Sequence, residues 1–377
     1  MNKKLAIAAV CSRPFVSAAA AAGYQVIALD AFADADTQRA AFQTYQLKYA
    51  DGHFDTADFE RVLNSLPTDA VAGEFVGLVY GSGFEPVPEL LEMAARQMPL
   101  IGNTPRVLRN LKRPRQFFML LEVLQIPHPE VSFKPLGPKS KEAGWLYKQA
   151  GGSGGTHIRK ALPIASLPPE TGHYFQREVA GMPISLLFAA DGKQARPIGF
   201  NQQWVAPKPG MPYRYGGAVS HVELPAEVRK QLLDAAQRLT NAVGLRGLNS
   251  LDALMDGEQL WVLEINPRLS ATFDLYQSPA CNLFDLHIQA CTGEIANWPH
   301  LPQRAKAHHM IYAWRDMVLP QNVEWPAWAA DLPVPGSRIA ADNPICTVFA
   351  DAENAASAHE LVLERAQALQ AVVENYY

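Results

Sequence analysis

The first part of the chain alternates between short apolar runs and a segment of helical composition. Residues 4–11 and 24–30 are apolar runs of strand length, and the alanine-rich residues 15–22 lie between them. Gly23 follows this segment at the position where a helix commonly ends. Strand, helix and strand in this order predict a βαβ unit with a parallel sheet.

An export signal is the alternative interpretation of the first residues. Lys3 and Lys4 precede the apolar run and small residues follow it, but the run is short and Arg13 interrupts it. We therefore expect a buried first strand. No stretch of about 18 uninterrupted apolar residues occurs, so no transmembrane helix is expected.

Polar or small residues follow two of the predicted strands. Asp30, Asp34 and Asp36 follow the second strand, where an acid can bind a ribose in dinucleotide-binding domains. However, no G-x-G-x-x-G follows the first strand, and the loop 81–85 after the strand at 75–80 also lacks the third glycine. The sequence leaves open whether loop 81–85 forms a ligand crevice or a plain turn.

The middle of the chain predicts a helical segment and then a small β-region. Residues 104–124 have helical spacing, broken at Pro114. Residues 145–148 predict a strand that leads into the glycine-rich loop 151–155. Such a turn lets backbone N–H groups close over phosphates, and Lys148 adds a point charge just before it. It is not a Walker A loop, because no Gly-Lys-Ser/Thr sequence follows.

Further strands and a long helix follow this loop. Residues 173–179 predict a strand, and residues 184–190 predict its hairpin partner. Residues 208–217 predict a loop that could cover a substrate. Residues 227–243 have the spacing of an amphipathic helix, and the residues after 300 predict a smaller lobe.

The most informative stretch is the apolar strand 260–268, which ends in an acid, an amide and an arginine. Glu264 and Asn266 are two positions apart, so an extended backbone places both side chains on one face. An Asp-Gly pair upstream predicts a tight hairpin that folds Asp252 back towards Glu264. These three oxygen ligands suit Mg²⁺, and Arg268 adds a permanent charge beside them. For the strand alone, ordinary turn residues are an equal alternative; the third ligand favours a metal site.

Composition narrows the classes of partner. The chain has 377 residues, which predicts two or three lobes, and its net charge of −4 favours neither nucleic acid nor a membrane as a partner. Its 48% hydrophobic and 19% charged residues are typical of a soluble globular protein. The four cysteines have no C-x-x-C spacing, which argues against a disulfide framework or a zinc knuckle. We expect a cytoplasmic protein.

Taken in order, these motifs resemble those of the ATP-grasp carboxylate–amine ligases. The resemblance covers about residues 100–275. It rests on Lys148 with its glycine loop, on Gln176-Arg177-Glu178-Val179-Ala180-Gly181, on Asn249-Ser250-Leu251-Asp252, and on Glu264-Ile265-Asn266-Pro267-Arg268. Within this superfamily the chain resembles the predicted carboligases related to biotin carboxylase, some of which are linked to tetrahydromethanopterin or methanofuran-type coenzyme synthesis.

The resemblance implies an α/β chain with α+β lobes and an ATP-grasp fold. A Rossmann-like pre-ATP-grasp βαβ domain would occupy residues 1–103, and the ATP-grasp domain residues 104–300. Within the latter, a small lid lobe would span about 127–172 and a large lobe about 173–300. Residues 301–377 would form a closing lobe.

The resemblance also implies roles for particular residues. The implied phosphate-binding residues are Lys148, Gly151, Gly152, Ser153, Gly154 and Gly155. The implied adenine-binding residues are Gln176, Arg177, Glu178 and Val179, with the Glu178 side chain available to the adenine amine or the ribose. The implied metal ligands are Asp252, Glu264 and Asn266, for Mg²⁺ or its substitute Mn²⁺. The implied catalytic residues are Lys148 and Arg268, which would steady the transferred phosphoryl group.

Two departures from the family pattern affect the nucleotide contacts. The family often has a second ATP-binding lysine near position 114, where this chain has Pro114 flanked by Lys112, Arg113 and Arg115. It often has an acid for the ribose two residues past the hinge glycine, where this chain has Pro183. The sequence leaves open which basic residue replaces the lysine and which residue holds the ribose.

The implied function is an ATP- and Mg²⁺-dependent ligase that forms an amide through an acyl phosphate. One alternative is a non-catalytic nucleotide-binding regulatory module on the same fold, which would be expected to lose the metal ligands. A second alternative is an NAD-dependent oxidoreductase, which the missing glycine fingerprint argues against. The expected partners are a small-molecule acid and a small-molecule amine, and a homodimer is a further expectation.

The substrate prediction is glutamate joined to a small coenzyme precursor. A dianionic amino acid needs cations near the metal, and Arg13, Arg214 and Arg246 are the candidates. Tyr215 would suit an aromatic partner substrate. For each arginine, a solvated surface position is the commoner alternative.

Overall fold

The computed structural model describes residues 3–66, 75–136, 144–161, 169–295 and 298–374. Its strands are β1 (Lys4–Ala9), β2 (Gln25–Asp30), β3 (Gln43–Gln46), β4 (Tyr49–Ala50), β5 (His53–Phe54), β6 (Phe75–Tyr80), β7 (Leu100–Ile101), β8 (Val131–Ser132), β9 (Trp145–Gln149), β10 (Arg159–Lys160), β11 (His173–Arg177), β12 (Met182–Asp191), β13 (Ala195–Val205), β14 (Tyr215–Ser220), β15 (Arg246–Asp256), β16 (Gln259–Asn266), β17 (Ala305–Tyr312), β18 (Met317–Val318), β19 (Ala329–Ala330), β20 (Arg338–Ile339) and β21 (Pro344–Ala352). Its α-helices are α1 (Arg13–Ala21), α2 (Ala35–Ala40), α3 (Thr56–Ser65), α4 (Glu89–Gln97), α5 (Pro105–Lys112), α6 (Pro114–Val123), α7 (Ala226–Val243), α8 (Leu283–Thr292) and α9 (Ala355–Glu374). Across the described ranges, no helix combines the length and apolar composition that a membrane span requires.

The amino-terminal sheet is parallel, as the βαβ pattern predicts. Its five strands lie in the order β3-β2-β1-β6-β7. Leu5 to Ala9 in β1 are fully buried, because helices cover both faces of the sheet. The buried first strand is confirmed. The carboxyl ends of β1, β2 and β6 meet at one edge, where ligands bind in open α/β sheets.

The buried carboxylate of Asp30 ties the ends of β1 and β2 together. It accepts hydrogen bonds from the Ser12 amide at 2.6 Å and the Ser12 hydroxyl at 2.5 Å. It also accepts from the amides of Phe32 at 2.8 Å and Ala33 at 2.9 Å. Burial raises the pKa of Asp30, and these hydrogen bonds oppose that rise. The Asp30 side chain therefore has a structural role.

The predicted helical segment at 104–124 forms two helices. Pro105 and Pro114 stand at the start of α5 and α6, where their missing N–H groups cost nothing. Arg113 between the helices is extended, with φ −92° and ψ 108°, because the residue before a proline avoids helical geometry. The break leaves Lys112, the last residue of α5, buried with 8% of its surface exposed.

The predicted pairing of residues 184–190 with the strand at 173–179 is wrong. Strand β11 pairs with β8 and β9 in a small four-stranded sheet, whereas β12 pairs with β13 and β15 in a second sheet. The chain crosses between the sheets through Gly181, whose φ is +145°. A Cβ there would lie 2.8 Å from the carbonyl oxygen of Met255, so the backbones are too close for a side chain. The segment is therefore a crossing between lobes and not a hairpin.

The largest sheet joins the middle of the chain to its last part. Its eight strands lie in the order β16-β15-β12-β13-β14-β17-β21-β19. Strand β14 pairs with β17, with Gly217 opposite His309, so the sheet continues across the predicted boundary at residue 300. The predicted domain boundaries stay a proposal, and residues 137–143 and 162–168 of the predicted lid lobe lie outside the described residues.

We expect Asp30→Asn to destabilise the protein by about 2 kcal/mol, because an amide nitrogen would face donors that are left unpaired. The measurement is the free energy of unfolding in urea. Asp51→Asn is the matched control, because Asp51 is exposed at a turn with φ +53°, which asparagine adopts readily. Equal stability of the two variants would contradict the role of Asp30.

Candidate active site

The predicted hairpin brings the three proposed metal ligands together. Strands β15 and β16 are antiparallel, and Asp252 lies opposite Glu264. The turn between them places Gly257 at φ +58°, which a tight hairpin requires. The Asn266 side-chain nitrogen donates to Asp252 Oδ2 at 2.9 Å and lies 3.4 Å from Glu264 Oε1.

The donor set at this hairpin fits a hard cation. Across the described ranges, no group of three or more His, Cys, Asp or Glu side chains could hold a metal ion, so a site here uses two carboxylates and an amide. The Asn266 nitrogen bridges the carboxylates where a cation would be attracted. Rotating the amide would present its oxygen to the same point, and hydrogen bonding alone decides between the two orientations. Oxygen ligands supplemented by water are what Mg²⁺ prefers.

Two lysines face these carboxylates from different elements. Lys112 Nζ donates to Asn266 Oδ1 at 2.8 Å and lies 3.4 Å from Glu264 Oε2. Lys148, which is 7% exposed, donates to Gln176 Oε1 at 3.0 Å. Of the basic residues near position 114, Lys112 is therefore the one that contacts the proposed metal ligands. Arg115 instead stacks over the Phe133 ring at 4.3 Å.

The charges at the hairpin shift one another's pKa values. Burial and the neighbouring Glu264 carboxylate raise the pKa of Asp252. Burial also acts to raise the pKa of Glu264, but the cations of Lys112 and Lys148 outweigh it and lower that pKa. Burial lowers the pKa of Lys148. A cation bound between Asp252 and Glu264 would offset the repulsion between these two carboxylates.

The glycine loop lies closed against the loop that precedes β14. Gly151, Gly154 and Gly155 have φ values of +71°, +64° and +71°. The Gly154 carbonyl accepts from the Tyr215 amide at 2.9 Å. A Cβ on Gly155 would lie 1.9 Å from the Tyr213 carbonyl oxygen, so only glycine permits this contact. Ser153 to Gly155 line the cavity described below, whereas Gly151 and Gly152 stand behind it.

The predicted adenine-binding strand forms one wall of the cavity. Gln176 is 1% exposed, and its side-chain nitrogen finds no partner among the described residues. Arg177 lies 3.7 Å from Glu130, near the surface. The Glu178 carboxylate pairs with Lys160 and accepts from the Tyr213 hydroxyl at 2.7 Å. Val179 also lines the cavity, so the wall has an apolar surface for a base.

Arg268 is held by a residue of the amino-terminal domain. Its guanidinium donates to Glu85 Oε1 at 2.9 Å and to Asn266 Oδ1 at 3.1 Å. The second Glu85 oxygen accepts from the amides of Gly83 at 2.8 Å and Phe84 at 3.0 Å. Burial opposes ionisation of Glu85, but Arg268 and Lys112 lower its pKa. The loop 81–85 therefore positions the arginine, a role that no local motif reveals.

The four predicted substrate residues have different surroundings. Arg13 lines the cavity but is bound between Asp274 at 2.5 Å and Asp331 at 2.8 Å. Tyr215 also lines it and is hydrogen-bonded to His308 at 2.7 Å.

The other two predicted arginines do not line the cavity. The Arg214 guanidinium stacks over Tyr312 at 3.9 Å and lies 3.5 Å from Asp342. Arg246 donates to the Cys291 carbonyl at 2.9 Å.

One cavity of about 1000 Å³ is lined by most of the proposed site residues. It is lined by Gln176 to Gly181 at one end, by Lys148, Asp252, Glu264, Asn266 and Arg268 in the middle, and by Arg13, Asp34, Asp274 and Asp331 at the other end. Its size suits a nucleotide with a further small molecule.

Comparison with known proteins identifies the fold. Residues 115–272 match the family model of the ATP-grasp domain. A similar solved structure is an L-amino acid ligase from Bacillus licheniformis, at 15% identity and a TM-score of 0.66, with 96% of each chain covered. Another is the biotin carboxylase domain dimer of the 2-oxoglutarate carboxylase from Hydrogenobacter thermophilus, in complex with MgADP, ADP and bicarbonate. It has 14% identity and a TM-score of 0.71, covering 97% of this chain and 88% of that one.

A third similar structure is the phosphoribosylamine–glycine ligase from Thermotoga maritima, at 16% identity and a TM-score of 0.68, covering 97% of this chain and 96% of that one. No curated protein sequence matches at a significant level. The predicted ATP-grasp fold and α/β class are confirmed.

We expect Gly155→Ala to weaken ATP binding about tenfold or more relative to Gly154→Ala, a difference of about 1.4 kcal/mol. Both glycines have positive φ angles. A Cβ added at Gly155 would clash with backbone atoms, whereas a Cβ added at Gly154 would have no atom within 4 Å. Calorimetric titration with MgATP measures the difference. Equal affinities would show that loop closure on Tyr213 does not contribute.

Proposed function

Because residues 115–272 match the ATP-grasp domain model and the chain has the fold of the ATP-grasp ligases, we propose that it is an ATP- and Mg²⁺-dependent carboxylate–amine ligase. The observation that carries the proposal is the convergence of Lys148, three oxygen ligands and Arg268 on one cavity, with the buried Lys112 contacting two of these ligands from α5. Lys148, Lys112 and the 252–268 hairpin come from three separate parts of the chain, so their meeting is a property of the fold.

The first half-reaction makes the carboxylate electrophilic. A carboxylate oxygen of the acid attacks the γ-phosphorus of ATP, and ADP leaves with the electrons of the broken P–O bond. Lys148, Lys112 and the amides of loop 151–155 hold the phosphates. The Asp252–Glu264–Asn266 set would hold Mg²⁺, which supplies charge neutralisation between the phosphate oxygens.

The second half-reaction forms the amide. The amine nitrogen attacks the acyl carbon, phosphate leaves, and the nitrogen releases a proton. Arg268, fixed by Glu85, offers its guanidinium to the phosphoryl group and to the oxyanion that develops on the acyl carbon. The loop 151–155, closed against Tyr213 and Tyr215, excludes water that would hydrolyse the acyl phosphate.

A non-catalytic nucleotide-binding module is the alternative within the same fold. Such a module would be expected to lose the metal ligands or the arginine. All of them are present and in contact with one another, so the structure favours the enzyme.

The finer parts of the proposal concern the substrates, the metal and the assembly. Glutamate and a C1-carrier coenzyme precursor come from the resemblance to the coenzyme-synthesis group. The local argument for glutamate needs free cations, yet Arg13 is already paired, and Arg214 and Arg246 do not line the cavity. Glutamate is thus one amino acid to screen among others, Mn²⁺ is a proposed substitute for Mg²⁺, and a cytoplasmic homodimer is proposed.

We expect calorimetric titration to show ATP binding that depends on Mg²⁺. The phosphates need the metal because Asp252 and Glu264 would otherwise repel them. Binding should weaken strongly in EDTA and recover when excess Mg²⁺ is added. Equal binding with and without the metal would contradict the proposed site.

We expect Arg268→Ala to lower turnover by about a hundredfold or more while the fold survives, on the scale of losing one electrostatic stabiliser. ADP release over a panel of acids and amines measures turnover. Arg106→Ala, which removes an exposed arginine from α5, is the control. Full activity in Arg268→Ala would disprove the role given to this residue.

We expect Glu264→Gln to lower turnover to a similar degree, because it keeps the shape of the side chain but removes one charge from the metal site. Raising the Mg²⁺ concentration should recover part of the loss. An unchanged Mg²⁺ dependence would show that Glu264 is not a ligand.

A further inference from the structure

The acidic end of the cavity is not used by the ligase chemistry described so far. Asp34 lies there, after the carboxyl end of β2, with 6% of its surface exposed. We propose that Asp34 binds the ammonium group of an amine-bearing substrate. The proposal rests on the ligase function above and names the class of substrate that this end of the cavity takes.

The carboxylate of Asp34 is buried without a structural role. It stands at the N-cap position of α2, but its side chain makes no capping hydrogen bond. Within the described part of the chain, no hydrogen bond or ion pair engages its carboxylate, although it lines the cavity. Its neighbours differ: Asp30 ties the strand ends together, and Asp36 accepts from the amides of Asp331 at 2.8 Å and Leu332 at 3.1 Å. Asp34 is thus free to bind a ligand.

The surrounding charge is negative and selects for a cation. Asp274 and Asp331 approach the same end of the cavity, and Arg13 is shared between them. Burial and the charges of Asp331, Asp30 and Asp36 raise the pKa of Asp34 to about 8, and Arg13 opposes them only in part. A cation bound beside Asp34 would offset this repulsion.

An organic ammonium fits better than the other ligands that an acid could bind. Among the described residues at this end of the cavity, no three His, Cys, Asp or Glu side chains are arranged to hold a metal ion. A ribose hydroxyl would offset none of the negative charge. Phe32 lines the same cavity and offers its ring to the carbon atoms next to an ammonium group.

The test compares wild type, Asp34→Asn and the exposed control Asp51→Asn, all as full chains with Mg²⁺ and a non-hydrolysable ATP analogue. Thermal unfolding is followed with each of the twenty standard amino acids, and with 1,4-diaminobutane against 1,4-butanediol. We expect at least one ammonium compound to raise the Tm of wild type and Asp51→Asn. With Asp34→Asn, the same Tm shift should require a concentration of that compound at least about tenfold higher, which is the scale of one lost charge-assisted contact. 1,4-Butanediol should have no effect.

The ligand-free variants give a second measurement. Asp34→Asn should raise the Tm at pH 8, because it removes an unpartnered charge from among like charges. A lower Tm would show that Asp34 supports the fold, and would overturn the proposal. So would the absence of a Tm shift with every ammonium compound, or equal shifts in wild type and Asp34→Asn. Loss of nucleotide binding in the wild type would instead contradict the ligase function itself.

Discussion

The buried contact among Arg268, Glu85 and Asn266 connects the two halves of the proposed chemistry. A guanidinium loses several kcal/mol of hydration when it is buried, so it must be paired to stay in place. Glu85 supplies the pair from the amino-terminal domain, and the amides of Gly83 and Phe84 hold the second Glu85 oxygen. The amino-terminal domain therefore fixes the arginine to which we assign a catalytic role.

Negative and positive side chains also lie on opposite sides of the Asn266 amide. Its nitrogen faces Asp252 and Glu264, while its oxygen faces Lys112 and Arg268. The arrangement places carboxylates on one side, for a metal, and cations on the other, for phosphates. This separation would give a transferring phosphoryl group positive charge from both directions. The acidic end beyond Arg268 has no such balance, and for that reason we assign it to a cationic substrate.

The hairpin could be predicted from local sequence signals. The rest of the site depends on contacts between residues that are far apart in the sequence, and these could not be predicted. The Asp-Gly turn sets the register of β15 and β16, so the meeting of Asp252 with Glu264 follows from short-range geometry. The parallel amino-terminal sheet follows from periodicity in the same way. Glu85 reaches the site from the amino-terminal domain, and Lys112 reaches it because α5 packs against the large sheet. No spacing in one sequence encodes either contact. The pairing of residues 184–190 was wrong for a related reason, because adjacency along the chain favours a hairpin wherever a glycine-containing turn intervenes. Arg214 and Arg246 lie close in sequence to elements that line the cavity, but the sequence does not reveal which partners their side chains contact.

The central claim is that nucleotide and metal meet between the glycine loop and the hairpin. A crystal structure with Mg²⁺ and a non-hydrolysable ATP analogue tests it most directly. The account predicts Mg²⁺ bound to oxygens of Asp252, Glu264 and Asn266, the phosphates under loop 151–155 near Lys112 and Lys148, and the base against residues 176–179. A nucleotide bound elsewhere in the cavity, or phosphates without a metal contact to this hairpin, would contradict the account.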